Sequence, residues 1–204
     1  MSQLLSLSTT DLLDRFGSQN PTPGGGSAAA LAGALAASLV EMVAGLPKTR
    51  TGSDDEREKL GAAKEAAAKA GRRLRELVDL DTEAYNAVTS AYRLPKATEE
   101  EKAARSASIK AAMRQATEVP LETCERASEV LRAAAQTLAH GNPNAASDAR
   151  TAIALCRAAL DAGAENVRAN VASPSIAAES PLILARLEAI RAPLESMLAN
   201  PSRK

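Results

Sequence analysis

Residues 54–94, DDEREKLGAAKEAAAKAGRRLRELVDLDTEAYNAVTSAYRL, carry a stripe at Leu60, Ala63, Ala67, Ala70, Leu74, Leu77, Asp81, Ala84, Val88 and Ala91 that steps by three and four in strict alternation. That spacing predicts one long helix with a supercoiled seam. About forty residues at 1.5 Å rise make a rod of about 60 Å, longer than a compact domain of this size is wide. The rod therefore needs partners along its length. Small residues in the seam permit close helix approach, and the scarcity of large side chains makes a second copy an expected source of further burial. A homodimer of helical bundles is the expectation.

Outward from that stretch, helix signals recur. Ser8-Thr9-Thr10-Asp11, Ser53-Asp54-Asp55-Glu56 and Thr98-Glu99-Glu100-Glu101 each place a hydroxyl cap three residues before an acid. Gly17, the Gly45–Pro47 stretch, Leu94-Pro95, Gly141 before Pro143, and Ser173-Pro174 mark stops. Helices are predicted over about 9–17, 26–45, 54–94, 99–140 and 144–172, with Pro120 kinking or breaking the fourth. A last helix follows Ser180-Pro181. The fold class is all-α, a bundle of long antiparallel helices, in one domain over residues 1–204 whose C-terminal helix has no assigned role.

The composition excludes other classes. Alanine supplies 46 of the 204 residues, beside one Phe, two Tyr and no Trp, which argues against a β-rich protein. Twenty-five basic and 25 acidic residues leave no net field to attract nucleic acid. Cys124, Cys156 and the lone His140 are too few for a disulfide framework or a zinc site, so no metal is expected, and both cysteines read as small core residues. The N-terminus lacks a secretion signal, and the uncharged Ala28–Val40 run is shorter than the roughly 20 residues a membrane span needs. A cytoplasmic chain with no membrane partner is expected.

Four places break the pattern. Asp81 stands in the apolar seam, where an ionised carboxylate is costly unless paired or wet. A salt bridge to an arginine on a neighbouring helix is the structural reading, and a functional base is the other. Tyr85 lies one turn on, and Arg93 and Lys96 sit at the negative end of the helix dipole. On the fifth helix Asp148, Ala152, Leu155, Ala159, Ala162 and Asn166 form one stripe, with Asn170 a turn beyond. Capping by Asn144 or Ser147 is the ordinary reading at its start. Pro21-Thr22-Pro23-Gly24-Gly25-Gly26-Ser27 opens the second helix, and three glycines let backbone N–H groups at a positive helix end approach an anion or a flat ring. No Gly-Lys-Ser/Thr follows and no strand precedes, so it is neither a phosphate loop nor a dinucleotide fingerprint.

Together these segments resemble one family, the cyclodeaminase and cyclohydrolase proteins of one-carbon folate metabolism. The matching stretches are Pro21 through Ser27, Glu41-Met42-Val43-Ala44-Gly45-Leu46, Asp81 through Lys96 (DTEAYNAVTSAYRLPK), Thr98 through Lys102, Val119-Pro120-Leu121, Gly141-Asn142-Pro143-Asn144 with Ser147-Asp148-Ala149, and Asn166-Val167 with Asn170. They span about residues 9–172. The resemblance implies an all-helical homodimer that takes a tetrahydrofolate derivative as substrate near the dimer interface, with no cofactor. Two activities occur in the family: hydrolysis of 5,10-methenyltetrahydrofolate to the 10-formyl form, and closure of 5-formiminotetrahydrofolate with loss of ammonia. Lacking a formiminotransferase-like domain, the chain looks most similar to bacterial cyclohydrolases, so hydrolysis comes first and cyclodeaminase second. A departure stands at Leu46-Pro47-Lys48-Thr49-Arg50, where the family shows Leu-Thr followed by lysines.

The methenyl bridge is a delocalised cation, so a carboxylate both attracts it and accepts a proton from attacking water. Asp81 is assigned that role, with Asp148 competing. Lys96 or Tyr85 supplies or relays the proton that helps a nitrogen leave. Asn142, Asn166 and Asn170 suit a pterin edge. Pro23, Gly24, Gly25, Gly26 and Ser27 form the close backbone approach, Arg93 is a further binding candidate, and an Arg or Lys near the mouth serves the glutamate tail. Ammonia-releasing chemistry needs the same groups. A non-catalytic folate-binding or adaptor protein, with Asp81 and Asn166 setting helix register, is the reading from a different class.

Overall fold

The computed structural model describes residues 4–199, and the remaining termini of the expected domain lie outside the described residues. Among them are six α-helices: α1 (Thr9–Phe16), α2 (Gly25–Ala44), α3 (Asp54–Tyr92), α4 (Glu99–His140), α5 (Ala146–Val171) and α6 (Ser180–Ala199). Among the described residues there is no strand. Each expected hydroxyl cap forms: Ser8, Ser53 and Thr98 accept from the backbone N–H three residues on, and Thr98 with Glu101 closes a full capping box.

Helices α2 to α5 form an up-down-up-down bundle in which each packs mainly on its two neighbours. The seam of α3 faces inward as its spacing dictates: Ala67, Ala70, Leu74 and Leu77 are fully buried, as are Ala30, Ala36, Ala37 and Val40 of α2. Close approach depends on missing side chains. A Cβ on Gly71 would lie 2.8 Å from that of Ala37, and one on Gly163 would lie 2.7 Å from Cys124 Sγ. Both cysteines are buried and free, with thiols pushed up to about 12 by desolvation. Between α3 and α4, Arg73 grips Glu122 with two hydrogen bonds of 2.8 Å.

Three expectations change. Pro120 does not break α4, which continues through it for 42 residues. Proline lacks the N–H that would bond the carbonyl of Ala116, and the side-chain amide of Asn170 donates to that carbonyl instead, at 2.7 Å. The second change concerns α5. Neither Asn144 nor Ser147 caps it; Asn142 accepts from the N–H of Asn144 and caps a short 3-10 turn, Pro143–Ala145, that feeds the helix. Third, α2 is 20 residues long and, by length and composition alone, apolar enough to cross a membrane. In the fold it forms one wall of the bundle, although Leu35 and Met42 on its outer face remain 54% and 43% exposed.

Helix α6 supplies what the sequence left unassigned. Ile183, Leu187 and Leu194 enter the core, while Arg186 pairs with Glu118 and Glu125, and Arg191 with Asp161. The bundle is uneven at one end: α2 begins level with Asp81, and Tyr92 lies eleven residues further, so about 16 Å of the α3–α4 hairpin projects past that start. On one side the projection is covered by Ile176, which packs with Ala91, Ile109, Ala112 and Met113. The side bearing Asp81, Tyr85 and Tyr92 rises as a wall above the start of α2, while Val88 packs against the Ile176 cluster.

Candidate active site

Helix α2 has no side-chain cap of its own; its N-cap is Gly24. The cap comes from another helix. The N–H of Ser27 donates to Asp81 Oδ2 at 2.8 Å, and the Ser27 hydroxyl donates to the same oxygen at 3.0 Å. The Ser27 hydroxyl also lies 3.3 Å from Thr82 Oγ1. A carboxylate at a helix N-terminus is favoured by the dipole and by the unsatisfied N–H groups there. Among the described residues no cation lies in ion-pair range of Asp81, so the expected arginine partner is absent.

Gly26 explains how the carboxylate gets so close. A Cβ on Gly26 would overlap Asp81 Oδ1 and lie 2.6 Å from its Cγ. Any side chain there would displace the acid. Asp81 is half-buried rather than within the core, while Ser27 is fully buried beneath it. Desolvation pushes the Asp81 carboxyl above the usual range, opposed by the Ser27 hydroxyl and amide. Both donors act on Oδ2. Oδ1 faces the glycine ledge with no protein donor among the described residues.

The expected residues fall into three groups. Gly24, Gly25, Gly26, Ser27, Asp81 and Asn166 come together: a Cβ on Gly25 would lie 3.5 Å from Asn166 Nδ2, which itself donates to Ala162 O at 2.8 Å. Pro23 is buried behind the ledge. Tyr85, 42% exposed, stands one turn above Asp81 on the wall, and Tyr92, 50% exposed, continues it. Arg105 stacks 5.5 Å from the Tyr92 ring centroid.

The second group lies at the far end of that wall. Arg93 caps α3, Lys96 follows it, and both are exposed and more than about 16 Å along the chain axis from Asp81. The third group lies at the opposite end of the bundle. Asp148 is in the first turn of α5, eighteen residues and so about 27 Å of helix from Asn166, and Asn142 is occupied with its turn. Within one copy, Lys96, Asp148 and Asn142 are not brought to Asp81. Asn170 lies one turn from Asn166 but spends its amide on Ala116. Thr82 was not singled out by pattern; its only sequence signal is a hydroxyl beside the out-of-place acid.

The start of α2 thus gathers three glycines, a carboxylate without an ion-pair partner among the described residues, and an exposed tyrosine one turn away. A family model described as formiminotransferase-cyclodeaminase matches residues 8–179. Over 158 residues the chain is 42% identical to the methenyltetrahydrofolate cyclohydrolase of Methylorubrum extorquens, an alignment covering 78% of this chain and 76% of that protein. It is 36% identical over 150 residues to the formimidoyltransferase-cyclodeaminase of Mus musculus, covering 73% of this chain but 28% of that longer protein. The solved structure of formiminotetrahydrofolate cyclodeaminase from Thermotoga maritima superimposes with a TM-score of 0.84 at 28% identity, covering 97% of this chain and 95% of that one. By the extent of these matches and by its all-helical fold, the chain belongs to the formiminotransferase-cyclodeaminase family.

Proposed function

We propose that this chain is an enzyme that hydrolyses 5,10-methenyltetrahydrofolate to 10-formyltetrahydrofolate. The observation that carries the choice is the 42% identity to a cyclohydrolase of which the chain covers 76%. The geometry supplies a matching mechanism. The methenyl cation docks over the Gly24–Gly26 ledge, where its charge favours the ionised form of Asp81. Water attacks the bridging carbon as Asp81 takes its proton. The resulting carbinolamine passes its hydroxyl proton to solvent, the nitrogen at position 5 is protonated by Asp81, and the bond from that nitrogen to carbon breaks, leaving the formyl group at position 10. Tyr85 is the nearer of the two expected proton relays. Lys96 reaches the reaction only through movement of the α3–α4 tip or from another copy.

Closure of 5-formiminotetrahydrofolate with loss of ammonia is the second reading, favoured by the fold match to a cyclodeaminase over nearly the whole chain. The reading further includes a cytoplasmic homodimer that needs no cofactor, nucleic acid or membrane. The outer face of α2, with Ala28, Leu31, Leu35, Leu39 and Met42, supports the dimer, since such an apolar stripe is normally covered. Two copies pairing antiparallel along it would set the α5 start of one copy, with Asp148, beside the ledge of the other.

Purified protein incubated with 5,10-methenyltetrahydrofolate should remove its near-ultraviolet absorbance faster than buffer does. A parallel incubation with the formimino compound, read by ammonia release, should be slower by at least tenfold. Faster ammonia release reverses the order of the two readings, and no turnover of either compound leaves a binding protein.

A further inference from the structure

Ser27 has one hydroxyl proton, and the 3.0 Å contact gives it to Asp81 Oδ2. The proton in the 3.3 Å contact between Ser27 and Thr82 must then come from Thr82. The three groups form a directed chain, Thr82 to Ser27 to Asp81, ending on the same oxygen that accepts the Ser27 amide at 2.8 Å. The chain runs under the ledge, because Ser27 is fully buried. It therefore acts on Oδ2, while Oδ1 lies against Gly26 with no protein donor among the described residues.

We propose that Thr82 is a positioning residue for the reaction: acting through Ser27, its hydroxyl holds Asp81 with Oδ2 pinned to the start of α2 and Oδ1 turned to the attacking water. The inference rests on the hydrolytic reading. Without Thr82 the Ser27 hydroxyl keeps its own proton but loses the donor that fixes its rotamer, so it is free to turn from the carboxylate. Asp81 then retains one fixed donor, the Ser27 amide, about which the carboxylate rotates. A general base misplaced by rotation loses rate while substrate affinity, set by the ledge and wall, changes little.

Hydroxyl and packing roles separate cleanly at a threonine. Thr82→Val keeps the shape and loses the hydroxyl, Thr82→Ser keeps the hydroxyl and loses the methyl, and Thr82→Ala loses both. With helicity and thermal midpoint measured for each, kcat on 5,10-methenyltetrahydrofolate should fall roughly three- to tenfold in Thr82→Val and Thr82→Ala, with KM within about twofold, whereas Thr82→Ser stays within about twofold of the parent in kcat. Should Thr82→Val fail to fold, the Ser and Ala variants alone decide, since they differ only in the hydroxyl. Equal kcat in Ser and Ala variants, or a Val variant as fast as the parent, overturns the role of Thr82 and leaves the hydrolytic reading intact. Absence of turnover in the parent protein overturns that reading itself.

Discussion

Glu56 and Asp81 lie on one helix and solve the same problem with opposite results. Glu56, buried at the start of α3, accepts from the Thr49 hydroxyl at 2.7 Å and from the N–H groups of Thr51 and Gly52 at 2.8 and 3.1 Å. Those donors, Thr49 foremost, hold its carboxyl down at about 2 against the cost of burial. Asp81 has two donors, both from Ser27, and there desolvation wins and the carboxyl rises. The causes rank differently: the Thr49 hydroxyl leads at Glu56 and desolvation leads at Asp81, so surroundings and donors together set the sign. Glu56 closes a loop and is a structural acid; Asp81 is left under-satisfied, the condition of a group poised to take a proton.

The largest expected effect breaks the comparison at Asp81. Asp81→Asn should lose about 10²- to 10⁴-fold in kcat, the range for removing a general base. Its thermal midpoint at pH 7 should be unchanged or higher. The sign follows from linkage: a carboxyl raised on folding makes the native state less stable as pH climbs above the unfolded Asp value, so removing the charge removes a cost at neutral pH. Calorimetry beside the absorbance assay checks both halves, and a fall in midpoint with turnover kept would reverse the contrast.

A neutral acceptor gives the next effect. If donors decide, Asn170→Ala should cost about 1–2 kcal/mol in urea unfolding by stranding the Ala116 carbonyl. Pro120→Ala in the same chain should recover most of it, because alanine restores the missing N–H. Additive losses in the double variant would show that the amide contact is incidental.

The smallest effect is a change of slope in acid. Glu56 contributes stability above its unfolded value near 4.5 that is lost as pH falls through about 2. Midpoints measured from pH 7 to 2 should therefore decline less steeply in Glu56→Gln than in the parent, from a lower starting value at neutral pH. Parallel curves would remove Glu56 from the acid response.

Much of the architecture was legible because local rules and the global fold agree. The three-four stripe of α3, three hydroxyl caps and the proline and glycine stops locate every long helix within two residues. The site was legible in part. Asp81 announced itself by sitting in an apolar seam, and Gly24 to Ser27 by their position before a helix. What the pattern left open was distance: Asp148 and Asn166 share one stripe on α5, yet a stripe only says which face, and the same face runs past two ends of the bundle. Pro120 was read as a kink or a break because the residue that replaces its hydrogen bond lies fifty residues away in sequence.

By itself, then, the chain determined helices, seams and the unusual placement of an acid, since these follow from side-chain periodicity and backbone chemistry within a few turns. Only tertiary packing decided that Asp81 caps α2 through Ser27 instead of meeting an arginine. It also decided that Asn170 repairs the gap at Pro120. Both are long-range choices of partner, and a buried polar atom takes whichever complementary group the packed helices bring within about 3 Å.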